Sequence, residues 1–181
     1  MTLRIISGIY KGRSLKTPKS LTTRPTQSVL REAVFNICQN EIQGARFLDL
    51  FAGSGAMGLE ALSRGASHVT FVEQNRNALA CIRDNIAHLE ASSLSSLIPY
   101  NAERAIAILT KQGALFDIIY VDPPYDLFFP IESLAVLLAP HALLFVEERA
   151  HSKKTPIDLP SLQIRNSRRF AAAQLITYVH K

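Results

Sequence analysis

The chain has 181 residues, room for one domain that buries roughly 70% of its unfolded surface and too few for two ordinary ones. Its two cysteines, Cys38 and Cys81, lie in apolar helical patterns with no CxxC and no Cys/His cluster, which argues against a disulfide framework or a zinc centre; with no run approaching 18 uncharged apolar residues and no apolar leader in MTLRIISG, a soluble cytoplasmic protein is expected. The net charge of +5 divides into +6 over residues 1–46, −6 over 47–150 and +5 over 151–181, so an acidic body carries two basic ends suited to a polyanion.

In chain order, LRIISGIYKGRSL has β-branched residues and paired glycines, the pattern of a small hairpin rather than a tail. Arg4, Lys11, Arg13, Lys16, Lys19, Arg24 and Arg31 all precede the first acid. RPTQSVLREAVFNICQNEI follows with Leu30, Ala33, Val34, Ile37 and Cys38 at helical spacing, and Thr26 or Ser28 is its candidate cap. The chain then alternates: strand RFLDLF, helix MGLEALSRG, strand HVTFVE, helix NRNALACIRDNIAHL, weaker strand SLIPY, helix AERAIAILTKQ, strand FDIIYVD, helix IESLAVLLA, strand ALLFVEE. Near-continuous apolar strands separated by helices imply a parallel sheet covered on both faces, a doubly wound α/β fold. The tail LQIRNSRRFAAAQLITYVHK holds two β-rich runs with no helix between them, expected as an antiparallel pair on one sheet edge. The reading is one domain over residues 1–181, with 1–25 a basic hairpin extension.

Ligands of such sheets sit at the carboxyl ends of strands near the topological switch point. That singles out Asp49 to Gly55, Glu73, Asn101 and Asp122. Gly53, Gly55 and Gly58 in LDLFAGSGAMG have GxGxxG spacing directly after a strand, and Glu73 closes the next strand 20 residues on, placed to accept hydrogen bonds from ribose hydroxyls. A nucleoside-containing cofactor is therefore expected. NAD(P) and S-adenosylmethionine both suit the loop; Asp49 beside it favours a cationic amino-acid moiety over a pyrophosphate.

The strand IIYV then ends in Asp122, Pro123, Pro124 and Tyr125. An exocyclic amine on a nucleobase is a poor nucleophile because its lone pair is delocalised into the ring. A carboxylate and a proline carbonyl, both acceptors, can relocalise that pair and aim it, and Tyr125 can stack on an extruded base. The prolines lack N–H groups and restrict φ, which holds the carbonyls in a fixed direction. Phe128 and Phe129 either wall the base pocket or pack, with packing preferred.

The segments RIISGIYKGRSL, RPTQSVLREAVFN, FLDLFAGSGAMGLEALSRGA, VTFVEQNRNA and FDIIYVDPPY, in this order, resemble the bacterial guanine-N2 methyltransferases of 16S ribosomal RNA of the RsmD type, over roughly residues 3 to 179. The first two segments discriminate; the glycine loop and the Asp-Pro-Pro-Tyr box are shared with wider groups. The resemblance implies a Rossmann-like class I methyltransferase, acting with S-adenosylmethionine on the N2 amine of one guanine, of the guanine 966 type in reference rRNA numbering. Its partner would be 16S rRNA in the small subunit or an assembly intermediate, and the protein would be a monomer without metal or membrane. It implies that Asp49, Phe51, Ala52, Gly53, Ser54 and Gly55 contact the methionine part, Glu73 the ribose, and Asn101 and Ala102 the adenine. Arg24 and Thr26 would line the cofactor or base pocket, and Asp122 to Tyr125 would hold the target base. Arg4, Lys11, Arg13, Lys16, Arg24, Arg168 and Arg169 are the candidate RNA contacts. Two departures stand out: Asn101 replaces the usual acid, whose role its side-chain carbonyl can take, and RRFAAAQL replaces a Tyr-Gly segment.

Competing readings are an adenine-N6 DNA or RNA methyltransferase using the same box, an NAD-dependent oxidoreductase, and a non-catalytic RNA-binding assembly factor. The oxidoreductase leaves the tetrapeptide and the basic ends unexplained, and the intact loop and box argue against lost catalysis. His68, His88, His141, His151 and His180 are scattered and suggest no metal. Glu147, Glu148 and Arg149 could approach the active site from the fifth strand end; the preferred reading is a solvated strand terminus.

Overall fold

The computed structural model describes residues 3–18, 25–124, 127, 129–150, 161–171 and 173–181, with the backbone alone at Pro25 and Thr26. Seven strands form one sheet in the order β3-β2-β1-β4-β5-β7-β6. These are β1 Arg46–Leu50, β2 His68–Val72, β3 Ser95–Ile98, β4 Phe116–Val121, β5 Leu138–Arg149, β6 Leu162–Arg169 and β7 Ala173–His180. The first five are parallel. β7 runs antiparallel to both β5 and β6, which closes the sheet edge with the expected antiparallel pair.

The apolar strands serve two cores at once, because successive side chains point to opposite faces. Phe47, Phe71, Ile118 and Phe145 pack with Leu30 and Val34 of α1 (Pro25–Ile37), Leu59 of α2 (Ala56–Ser63) and Ile82 of α3 (Arg76–His88). On the other face Leu48, Leu50, Ile119 and Val121 meet Ala105 and Leu109 of α4 (Ala102–Lys111) and Leu134 and Leu137. This is the doubly wound α/β arrangement that the alternating pattern implied, and its switch point falls between the neighbours β1 and β4.

Two local expectations are corrected. IESLAVLLA is a short 3-10 helix, Ile131–Leu137, after which the chain enters β5 directly. Pro140 explains this: proline disfavours helical backbone in the residue before it, so a full α-helix has no room to run on. Ser28 lies inside α1, which begins at Pro25, and therefore does not cap it; the Thr26 side chain lies outside the described residues. Pro25 at the first helical position suits a site whose N–H would have no helical partner.

The N-terminal segment is held by turns more than by strands. Arg4 and Ser14 form an antiparallel bridge, and the Ile5 N–H donates to Arg13 O, Gly12 N–H to Ile5 O and Leu15 N–H to Leu3 O. Leu3, Ile5 and Leu15 are buried in the core shared with α1. Gly8, at φ 83°, lies so close to α2 that a Cβ there would sit 1.7 Å from Ser63 O. Around it the Ile6 and Ser7 N–H groups donate to the fully buried Glu60 carboxylate, and Tyr10 N–H donates to Ser63 Oγ.

Candidate active site

The glycine loop is shaped by two acids. After β1 the backbone turns through left-handed φ at Phe51 (71°), Gly53 (56°) and Gly55 (77°), the last being the N-cap of α2. Asp49, 1% exposed, accepts the Gly58 N–H at 2.9 Å with Oδ2. Glu73 Oε2 accepts the Gly53 N–H at 2.8 Å, while Oε1 accepts those of Gln74 and Asn75. The acid after β2 thus clamps the loop after β1. A carboxylate offers about four acceptor positions, so three are filled and about one remains. Gly58 has a different task, since a Cβ there would meet Phe71 Cε1 at 2.3 Å; it lets α2 lie directly on the sheet.

Neighbouring residues complete this half of the site. Asn85 on α3 donates to Ser54 O and Lys16 O and accepts the Lys16 N–H, tying the N-terminal segment to the loop. Phe51 meets Phe129 edge-on at 5.4 Å, and Phe129 is buried, which fits the packing role preferred for it; Phe128 lies outside the described residues. Asn101 is the N-cap of α4, its Oδ1 accepting the Arg104 N–H at 3.0 Å, and Ala102 is buried behind it. The Arg104 guanidinium lies 3.8 Å over the Tyr100 ring, a flat cationic-aromatic pair beside Asn101 that nothing in the sequence singled out.

The second half lies at the ends of β4 and β5. Leu50 pairs with Val121 and Val121 with Val146, so Asp122 follows directly beside the glycine loop and Glu147 follows beside Asp122. The Pro124 carbonyl accepts the Leu127 N–H at 2.8 Å. Tyr125 and Arg24 lie outside the described residues. Glu147 is half-buried and accepts the hydroxyl of the buried Tyr120 at 2.5 Å. The expectation of a solvated terminus fails for Glu147, because Tyr120 on β4 and Asp122 just past its end share the face toward which Glu147 points.

Three carboxyl groups converge here with correspondingly raised proton affinity. Burial, then the charges of Glu147 and Asp49, push Asp122 up to about 8. Burial pushes Asp49 up to about 7, with the Gly58 N–H opposing and Glu73 adding to the rise. Burial also raises Glu147, opposed by the Tyr120 hydrogen bond. Low dielectric and like charge both disfavour ionisation, and a cation in the cleft would reverse the shift.

The candidate RNA contacts divide. Arg4, Lys11, Arg13, Arg168 and Arg169 are exposed, the first three on the N-terminal segment and the last two on the edge strand β6. Lys16 is exposed but paired with Asp84 at 2.7 Å. Arg31, counted with the basic N-terminus, is 3% exposed, and its Nη2 donates to Arg4 O while Nε lies 3.5 Å from Glu60. It is a structural cation. Among the described residues no group of three His, Cys, Asp or Glu comes together as a metal site, and no helix is long and apolar enough to cross a membrane.

A doubly wound sheet with an antiparallel terminal pair, a glycine loop clamped by two acids, and an Asp-Pro-Pro end on the adjacent strand define the class I methyltransferase architecture. Residues 3–179 match the family described as Conserved hypothetical protein 95, and the chain belongs to that family, which includes the RsmD-type rRNA methyltransferases. It is 42% identical to the putative rRNA methyltransferase YlbH of Bacillus subtilis over 68% of this chain and 67% of that protein. It is 37% identical to ribosomal RNA small subunit methyltransferase D of Escherichia coli over 83% of this chain and 76% of that one. The solved structure of the putative methyltransferase yhhF from Escherichia coli superposes with a TM-score of 0.86 at 32% identity, covering 100% of this chain and 99% of that one.

Proposed function

We propose that this protein is an S-adenosylmethionine-dependent methyltransferase of 16S ribosomal RNA, acting on the exocyclic N2 amine of one guanine. The observation that carries the reading is that Asp122 and Pro123 follow the end of β4, the strand paired with β1 and its acid-clamped glycine loop. Relatives named as small-subunit methyltransferases support rRNA as substrate, and the sequence resemblance points to a guanine of the 966 type. The whole chain would work as one methyltransferase domain, with residues 1–25 its basic extension.

The cleft suits the methyl donor. Asp49 is a buried acid beside the loop, fit for the cationic end of the methionine part, and Glu73 keeps about one acceptor position for a ribose hydroxyl. Phe51 and the loop from Ala52 to Gly55 would line the methionine part, with Arg24 and Thr26 near the pocket. Asn101, although it caps α4, retains a second lone pair for the adenine amine, and Ala102 supports it. Bound S-adenosylmethionine supplies an electrophilic methyl group on a sulfonium. Asp122 and the Pro123 carbonyl accept the two amine hydrogens of the guanine, which turns the nitrogen lone pair out of the ring plane, while Tyr125 stacks on the base. Arg4, Lys11, Arg13, Lys16, Arg24, Arg168 and Arg169 would hold the RNA backbone.

Asp122→Ala should lower methyl transfer to small-subunit RNA by at least about a hundred-fold, the scale of a missing proton-accepting group. Binding of S-adenosylhomocysteine, followed by calorimetry, should stay within a few-fold. Retained turnover would remove Asp122 from the reaction and with it the site assignment.

A further inference from the structure

Glu147 is the acid that the methyl-transfer scheme leaves unused, and its setting is not that of a strand terminus. It lies on β5 in the position after Val146, whose partner Val121 precedes Asp122. Adjacent strands run about 4.8 Å apart, so the two carboxyl groups emerge side by side. The Tyr120 hydroxyl, itself buried, donates to Glu147 Oε2 at 2.5 Å and fixes that carboxylate from the β4 side. From β1, Asp49 faces the same cluster opposite Tyr120, with Glu73 beyond it. From α1, Arg31 acts on Tyr120. On β7 the residue opposite Glu147 is the uncharged Leu175, and Glu148 and Arg149 follow on its own strand.

We propose that Glu147, held by the Tyr120 hydroxyl, is a positioning residue that acts through Asp122 and makes it the acceptor of the proton leaving the target amine. This rests on the methyltransferase reading. As the nitrogen lone pair forms the N–C bond, the C–S bond breaks with its electron pair staying on sulfur, so a cationic sulfonium becomes a neutral thioether. One N–H proton passes to Asp122, which goes from carboxylate to carboxylic acid and later releases it to water. Charge and atoms balance. A negative charge beside Asp122 strengthens it as a proton acceptor, and the cationic donor keeps it ionised while bound. Burial raises Glu147, and the Tyr120 hydrogen bond opposes that rise by favouring the ionised form beside Asp122.

The test compares wild type with Glu147→Gln, which keeps an acceptor for Tyr120 and removes the charge, using reconstituted small-subunit RNA with S-adenosylmethionine and carbon NMR titration of the ligand-free protein. The expected result is a kcat about ten-fold lower on the alkaline plateau, a KM for RNA unchanged within two-fold, and an acid limb displaced to lower pH. The Asp122 carboxyl resonance should titrate at lower pH in the variant. An equal plateau, or an Asp122 titration that does not move, overturns the proposal while leaving the methyltransferase reading intact. A wild type that methylates no RNA overturns both. Should the variant unfold, Tyr120→Phe serves instead, and it too must lower kcat without raising the RNA KM; an unchanged kcat overturns the proposal.

Discussion

The fully buried carboxylate of Glu60 accepts the Ile6 and Ser7 N–H groups and Arg64 Nε at 2.8 Å, and forms an ion pair with Arg31, whose Nε lies 3.5 Å away. Removing one partner of such a network leaves the others desolvated and unpaired. Glu60→Ala should therefore cost roughly 3–5 kcal/mol of unfolding free energy, read from urea denaturation. A loss below about 1 kcal/mol would mean that water replaces the carboxylate. Asp49 gives a pH signature at the same scale. Its folded value of about 7 lies above the ordinary 3.8, so the native state holds that proton more tightly than the unfolded chain. The associated stability is fully present below about pH 4 and is lost as pH rises through about 7. Asp49→Asn retains an acceptor for Gly58 N–H but cannot ionise. Its unfolding free energy should fall less steeply than wild type over that window, and parallel curves would show that Asp49 titrates normally.

At the scale of elements, the N-terminal hairpin connects fold to function. Its apolar side, Leu3, Ile5 and Leu15, enters the core, while Arg4, Lys11 and Arg13 stay in water. Replacing Lys11 and Arg13 with Ala should lower the slope of log affinity against log salt by roughly 0.7–0.9 for each phosphate that is no longer neutralised, leaving thermal stability nearly unchanged. An unaltered slope would make these residues an ordinary solvated surface. The parallel strands were legible in the sequence because near-continuous apolar runs mark burial on both faces, as Phe47, Leu48 and Leu50 illustrate, all fully buried but divided between two cores, and the long helices because a period of 3.6 marks one apolar face. IESLAVLLA misled for the same reason. It has helical periodicity, but Pro140 acts on backbone geometry that apolar spacing does not register.

Over the whole molecule, the proposed site gathers where three parallel strands end. Asp49, Glu73 and Asp122 were legible because each is an acid closing an apolar strand at a motif. Glu147 closes an apolar strand too, yet the role proposed for it depends on the register of β5 against β4 and on a tyrosine hydroxyl one strand away, information that no single segment contains. Arg31 was misjudged for a related reason: its charge is visible in the sequence, its burial against Glu60 is not. Conversely, the double duty of Glu73, clamping Gly53 while leaving about one acceptor position open, emerges only from the three-dimensional bond pattern. Among the described basic residues, Lys16 is held against α3 by Asp84 while Arg168 and Arg169 lie on the edge strand β6, so the polyanion would meet this protein through more than one element.

The most direct measurement is nucleoside mass spectrometry of small-subunit RNA from cells lacking the modification, before and after incubation with this protein and S-adenosylmethionine. One N2-methylguanine should appear per 16S rRNA molecule in the treated sample, and none when the protein carries Asp122→Ala. Methylation at adenine N6, or no methyl transfer to small-subunit RNA, would contradict the assignment.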